Sequence, residues 1–156
     1  MTNELKQDYM LRISQANKSG LVVILYDMFL TYISEAKESA PKSEELKNAI
    51  RNSRNVLSEL IGSLHMDYDI AKSTYELYRY VERELITADI KRDASGLDHA
   101  KSVMQRLRDA YAEVSKQDTS VPLMQNTDTV YAGMTYGKGE LNTDSTAAGS
   151  NRGFLA

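Results

Sequence analysis

Apolar residues recur at the spacing of an α-helix over most of residues 17–117, where helix breakers are scarce. The whole chain has two Pro and eight Gly, and five of those Gly follow residue 130. Asn17 is the predicted N-cap of a first long helix that runs to about Ser39 and stops before Pro41. A second helix opens near Ser43, a third follows Asp69, and a fourth follows Ala94-Ser95-Gly96. The apolar face comprises Leu46, Ile50, Leu57, Leu60, Ile61 and Leu64 in the second helix, Ile70, Thr74, Leu77, Val81, Leu85 and Ala88 in the third, and Leu97, Ala100, Met104, Leu107, Tyr111 and Val114 in the fourth.

Four helices of about twenty residues with short connections predict an all-α fold, an antiparallel four-helix bundle over residues 17–117. In residues 1–16, Leu5, Tyr9 and Ile13 lie at i, i+4 and i+8, which predicts a short helical lid across the bundle. From residue 118 to residue 156 the composition shifts to Gly, Thr, Asn, Ser and Ala. The helical period is lost there, so this segment is predicted to be a non-helical C-terminal tail.

The first bundle helix carries more apolar residues than one core-facing stripe needs. A helix that is apolar nearly all round is either buried on all sides or exposes a patch that binds something. The lid and tail can cover the additional apolar residues of this helix permanently. Alternatively, these residues can form a groove for a partner helix or an extended segment. The predicted core stripe is Leu21, Ile24, Leu25, Met28 and Tyr32, and the predicted partner-binding stripe is Val22, Val23, Tyr26, Phe29, Leu30 and Ile33.

Composition and charge narrow the class of protein. The chain has no Cys, which favours a reducing compartment and excludes disulfides and thiolate metal sites. The first eight residues do not form a signal peptide, and no stretch approaches the eighteen apolar residues of a membrane span. The net charge of −3 is spread over mixed segments, without a basic stripe for phosphates. The sequence therefore predicts a cytoplasmic protein that neither inserts into a membrane nor binds nucleic acid.

Enzymatic chemistry finds little support in the sequence. A di-metal bundle needs Glu-x-x-His pairs, and neither His65 nor His99 has a Glu three residues before it. No phosphate-binding loop is present, and the tail glycines precede no helix. One chemical alternative stays open, phosphotransfer through an exposed His99 with Lys101 nearby. Apart from that alternative, the sequence predicts a binding protein with no catalytic residue, metal or cofactor.

Five short motifs, in order along residues 9 to 115, resemble those of the FliS family of flagellar secretion chaperones. Leu25-Tyr26-Asp27 looks like the family's Leu-Tyr-Asp/Asn, and Glu59-Leu60 to Leu64 looks like its Glu-Leu-x-x-x-Leu. Leu77-Tyr78-Arg79-Tyr80 is similar to Leu-Tyr-x-Tyr. Leu85 to Asp93 is similar to the stretch that closes the third helix, and Leu107 to Tyr111 is similar to Arg-Asp-Ala-Trp. Before the first long helix, Gln15-Ala16-Asn17-Lys18 replaces the family's Thr-Ala-Ser-Pro, which drops the Pro.

The resemblance implies a protein that holds flagellin before export. Members bind the C-terminal segment of flagellin, block premature polymerisation and keep the client competent for the flagellar type III export apparatus. Such coupled folding typically buries about 1,000–3,000 Å², which requires a long apolar track. We expect Tyr9 and Ile13 in a displaceable lid, and Tyr75, Tyr80 and Ile86 off the core stripe of the third helix, to extend the track.

Two further hypotheses concern what else covers the apolar track. The stretch Val130 to Tyr136 holds two Tyr and a Met, which is too apolar for a spacer, and it can dock in the track as an intramolecular placeholder. Alternatively, uncovered stripes can pair two copies of the chain, or bind a different client as a helical interaction module.

Overall fold

A computed structural model describes residues 1–124, and within this range the chain is helical. A short 3₁₀ turn at Ser95–Leu97 precedes the last helix. The predicted all-α fold is therefore confirmed, whereas the tail after residue 124, including the stretch 130–136, lies outside the described residues. The helices are α1 Asn3–Gln15, α2 Lys18–Glu38, α3 Glu44–Gly62, α4 Asp69–Lys91 and α5 Asp98–Gln117.

Polar caps set where the first three helices begin. The side chains of Thr2, Asn17 and Ser43 each accept a hydrogen bond from a backbone N–H in the first turn of α1, α2 and α3. The predicted cap at Asn17 is confirmed, because its Oδ1 lies 2.9 Å from the N–H of Gly20. At the other end of α4, Arg92 adopts the left-handed conformation with φ 55° and closes the helix.

The four long helices form a ring in which each contacts the next, since α2 packs on α3, α3 on α4, α4 on α5 and α5 on α2. Neighbours run in opposite directions. The N–H of Lys42, before α3, donates to the carbonyl of Arg92, after α4, at 2.9 Å. Likewise Lys37 near the end of α2 pairs with Asp98 at the start of α5. The described chain is thus an antiparallel helical bundle.

Helix α2 is the central element, because it contacts α3, α5 and also α1. By length and composition alone α2 is apolar enough to cross a membrane, with a mean hydropathy of 1.3, contrary to the sequence expectation that no segment approaches this limit. A core helix has the same composition, and the neighbours of α2 take up its apolar side chains. The fully buried residues of α2 are Tyr26, Phe29, Ile33 and Ala36.

Candidate partner-binding surface

The structure places the predicted partner-binding stripe of α2 largely inside the bundle. Tyr26, Phe29 and Ile33 are fully buried and belong to the main core. Val22, Val23 and Leu30 are half-buried, and Val22 and Leu30 also pack against the core. The prediction of an exposed stripe is therefore wrong for Tyr26, Phe29 and Ile33. In the predicted core stripe only Ile24 is buried, and Leu21, Leu25, Met28 and Tyr32 are half-buried.

The predicted lid residues attach α1 to α2. Tyr9 is buried, and its hydroxyl lies 2.8 Å from Oγ1 of Thr31. Ile13, one turn further along α1, is half-buried. The carbonyl of Asp27 in turn accepts a hydrogen bond from the Thr31 hydroxyl at 3.0 Å. Tyr9 thus holds α1 on α2 through two successive hydrogen bonds, from its hydroxyl to Thr31 and from Thr31 to the backbone carbonyl of Asp27.

An ionic bridge centred on Asp27 joins three helices. Arg12 of α1 donates from Nη2 to Asp27 Oδ2 at 2.5 Å, and Arg108 of α5 donates from Nε to Oδ1 at 2.8 Å. The hydrogen bond to Asp27 raises the pKa of Arg108. The Asp27 side chain is only 17% exposed, so both contacts are partly shielded from water. The guanidinium of Arg12 also lies 5.3 Å from the centroid of the Tyr9 ring.

Three tyrosines meet on the other side of α2. The hydroxyl of Tyr26 is hydrogen-bonded to that of Tyr78 in α4, and burial raises the pKa of both groups. The ring centroid of Tyr26 lies 6.3 Å from that of Tyr78 and 5.5 Å from that of Tyr111 in α5. Tyr26, Asp27, Tyr78, Arg108 and Tyr111 all belong to the motifs that carry the family resemblance. Those motifs therefore build the interior and the α1–α2–α5 bridge.

We expect Tyr78→Phe to lower the free energy of unfolding by about 1–3 kcal/mol. The substitution removes one hydroxyl and leaves that of Tyr26 buried without its partner. Urea denaturation followed by circular dichroism measures the loss. Tyr75→Phe, at a half-buried position of the same helix, is the matched control and should have little effect. Equal losses in the two variants would contradict the importance of the buried pair.

The remaining predicted residues lie on two different faces of α4. Tyr75 and Ile86 are eleven residues apart, about three turns, and therefore share a face. Tyr80 lies about 140° from Tyr75 around the helix and packs against the core. Glu82, on the side of Tyr75 and Ile86, lines a pocket with α3 residues. The structure therefore does not bring Tyr75, Tyr80 and Ile86 together on one surface.

Exposed apolar residues instead follow the contact between α4 and α5. Ile70 is 79% exposed, Leu77 39% and Val114 60%, although the sequence predicts all three in the core. Ile70 and Leu77 lie on the side of α4 that is turned away from α3. Val114 lies on the side of α5 that is turned away from Lys101 and Arg108, which hydrogen-bond to α2. Half-buried apolar side chains lie between them. We call this surface the α4/α5 seam, formed by Ile70, Leu77, Tyr80, Val103, Leu107 and Val114.

The seam opens at one end into a cavity of about 270 Å³ between the start of α2, the loop after α3, the start of α4 and the end of α5. We call it the end cavity. At its mouth Lys18 Nζ lies 2.9 Å from Nε2 of His65. Ile70 belongs to both surfaces, so the seam and the end cavity are continuous. The cavity is lined by Lys18, Ser19, Val22, Ser63, Leu64, His65, Tyr68, Ile70, Ala71, Tyr111 and Asp118.

The groups considered for phosphotransfer are separated in the structure. His99 is exposed near the start of α5. Lys101 lies about 200° further around the helix and donates to the hydroxyl of Ser34 at 3.1 Å. Lys101 is thus directed toward α2 and does not assist His99.

Comparison with known proteins connects this architecture to flagellar proteins. A family model described as "Flagellar protein FliS" matches residues 1–118, which include all five helices. The flagellar secretion chaperone FliS of Bacillus subtilis (strain 168) is 25% identical over 109 residues. This alignment covers 68% of the present chain and 81% of the relative. The similarity therefore spans the helical bundle, and the family match stops where α5 ends.

Proposed function

Because the chain belongs to the FliS family of flagellar proteins, we propose that it is an export chaperone that binds the C-terminal segment of flagellin in the cytoplasm. Binding keeps the client from polymerising prematurely and leaves it competent for type III flagellar secretion. The observation that carries this proposal within the molecule is the α4/α5 seam, where Ile70, Leu77 and Val114 expose apolar surface along two adjacent helices. No catalytic step is proposed, and the flagellar export apparatus is the second partner.

The dimensions of the seam suit an amphipathic helix. From Val103 to Val114 the α5 side extends over three turns, about 16 Å. An amphipathic helix docks into such a groove through apolar side chains at i, i+3, i+4 and i+7. The flanks of the seam are polar, which limits the interaction to one apolar face of the client. A client segment of three or four turns would cover Ile70, Leu77 and Val114.

Displacement of α1 from α2 is a second way for the client to bind the bundle. Tyr9 and Arg12 hold α1 on α2 through a hydrogen bond and the Asp27 bridge. Such polar contacts exchange for water more readily than a large apolar interface does. A client that displaced α1 would gain the surface of α2 around Thr31, which Tyr9 contacts in the structure. Tyr26, Phe29 and Ile33 have no part in this proposal, because they hold the bundle together.

Calorimetric titration with a flagellin C-terminal peptide tests the proposed site. We expect Leu77→Asp and Val114→Asp each to weaken binding at least tenfold, about 1.4 kcal/mol, because a charge would be buried against the apolar face of the peptide. The matched control is Ile90→Asp. Ile90 is 77% exposed and lies about 160° from Ile70 around α4, so its substitution should leave the affinity unchanged.

The possible results distinguish an error in the proposed binding site from an error in the proposed function. Circular dichroism should show that all three variants keep their helix content, since the substituted side chains are exposed. If wild-type protein binds the peptide and both seam variants bind it equally well, the client uses another surface. If wild-type protein neither binds the peptide nor delays flagellin polymerisation, the proposed function is wrong.

A further inference from the structure

We propose that residues 118–123, which follow α5, form a strap that restrains the connection between α1 and α2 and so holds α1 on the bundle. The connection consists of Ala16 and Asn17, since α1 ends at Gln15 and α2 begins at Lys18. Because α1 is joined to α2 through these two residues, a movement of α1 as a whole turns the backbone there. The restraint of α1 does not depend on a client, whereas its effect on client binding rests on the proposed function.

The first residues of the strap are bonded to the start of α2. The Asp118 carboxylate accepts hydrogen bonds from the Ser19 hydroxyl and, at 2.9 Å, from the N–H of Ser120. Hydrogen bonds from the hydroxyls of Ser120 and Ser19 lower the pKa of Asp118 to about 2, so the carboxylate is a charged acceptor at neutral pH. Asn17 donates from Nδ2 to the backbone carbonyls of Asp118 and Ser120 at 3.3 and 3.2 Å. The strap is therefore anchored beside the connection between α1 and α2.

The last residue of the strap is bonded to the end of α1. The N–H of Leu123 donates to the carbonyl of Ala16 at 3.0 Å. Ala16 is the C-cap of α1, and its own N–H donates to the carbonyl of Ile13. Pro122 limits the conformations of the undocked strap, which reduces the entropy that is lost when the strap docks. A segment anchored on α2 thus holds the residue at which α1 ends.

The other contacts of α1 with α2 are few enough for this restraint to matter. Among the residues of α1, only Tyr9 is buried. Its hydroxyl bonds to Thr31, and Arg12 pairs with the partly exposed Asp27. A helix with so little buried apolar surface opens at a small cost in free energy, so one hydrogen bond near its end changes the fraction of open molecules measurably.

Two substitutions at Leu123 test the backbone bond to Ala16. Leu123→Pro removes the donating N–H, whereas the control Leu123→Ala keeps it and shortens a side chain that is 58% exposed. Hydrogen exchange is measured on the full-length chain. We expect the amides of α1 to exchange about fivefold faster in Leu123→Pro, because one hydrogen bond of ordinary strength changes an opening equilibrium by about this factor. In Leu123→Ala they should exchange at the wild-type rate.

A second pair of variants removes the anchor of the strap and keeps the helix cap. In Asn17→Ser the hydroxyl can still accept from the N–H of Gly20, as Oδ1 of Asn17 does, but the amide donors to the strap are lost. The matched control is Ser43→Asn, the reverse exchange at the cap of α3, where Ser43 accepts from the N–H of Leu46. We expect faster exchange of the α1 amides in Asn17→Ser and no change in Ser43→Asn.

Two results would overturn the proposal. The first is equal exchange of the α1 amides in Leu123→Pro and Leu123→Ala. The second is an equal acceleration of the α3 amides in Leu123→Pro, because the strap would then support the whole bundle and not α1 in particular.

Titration with the flagellin C-terminal peptide tests the effect on the client. Leu123→Pro should bind the peptide severalfold more tightly, because α1 is already open in a larger fraction of the molecules. If α1 exchanges faster but the wild-type protein binds no peptide, the restraint stands and the proposed function fails. If the peptide binds and α1 exchange is unchanged in all variants, the proposed function stands and the restraint fails. Faster exchange with equal affinities would show that the strap holds α1 but does not control the client.

Discussion

Phe29→Asp is expected to unfold the bundle. Phe29 is fully buried on the central helix, within a core that α3, α4 and α5 also supply. Truncating a buried Phe alone costs about 3–5 kcal/mol, and an unpaired carboxylate in its place adds several more. Domains of this size are typically stable by about 5–15 kcal/mol, so the substitution removes most or all of the stability. Circular dichroism and thermal denaturation measure the loss of helix.

Two companion variants show whether the loss arises from burial. Phe29→Leu keeps an apolar side chain and should retain the fold with a lowered melting temperature. Val23→Asp places the same charge on the same helix at a half-buried position that is not packed against the main core, and it should remain folded. If Phe29→Asp were as stable as Val23→Asp, α2 would not be the centre of the bundle. Any client-binding test at Phe29 would report unfolding in place of contact.

Asp27→Ala is expected to destabilise the protein and to release α1 from the bundle. The substitution removes the acceptor shared by Arg12 and Arg108 and leaves two guanidinium groups facing each other across α2. Hydrogen bonds to charged groups contribute about 1.5–3 kcal/mol, and partial exposure of both arginines reduces this value. We therefore expect a loss of about 1–2 kcal/mol in the free energy of unfolding, measured by urea denaturation.

Hydrogen exchange distinguishes release of α1 from a general loss of stability. In Asp27→Ala the amides of Asn3–Gln15 should lose protection while those of α3 keep theirs. Arg12→Ala is the matched comparison, because it should expose the same amides but keep the Arg108–Asp27 contact and most of the global stability. If α1 stayed protected in both variants, Tyr9 and its contact with Thr31 would be sufficient to hold the lid.

The helices and their limits could be predicted because their causes are local. Asn17 and Ser43 cap the helices that follow them, and the apolar spacing of each segment gives its helix type. The family could be predicted as well, since the motif residues recur in order along the chain. These motif residues build the bundle interior and its ionic bridge, so the motifs predict the fold; they are Tyr26, Asp27, Tyr78, Arg108 and Tyr111.

The partner surface could not be predicted in the same way. Periodicity assigns each residue to a face of its own helix, but exposure depends on which neighbours cover that face. On α2, contacts with α1, α3 and α5 bury Tyr26, Phe29 and Ile33, which the sequence placed on an open stripe. On α4 and α5, Ile70 and Val114 lie at the margin of the apolar face, where the adjacent helix does not cover them.

The sequence by itself determined an all-α chain, the caps and lengths of its helices and its membership of a flagellar family, because those properties depend on local spacing and on ordered motifs. Only the tertiary structure decided which apolar side chains are core and which are surface. Burial of a side chain is a property of the packed assembly, since the same Leu or Val is covered or exposed according to the distance and angle of the next helix. The structure thereby moved the candidate surface from α2 to the α4/α5 seam.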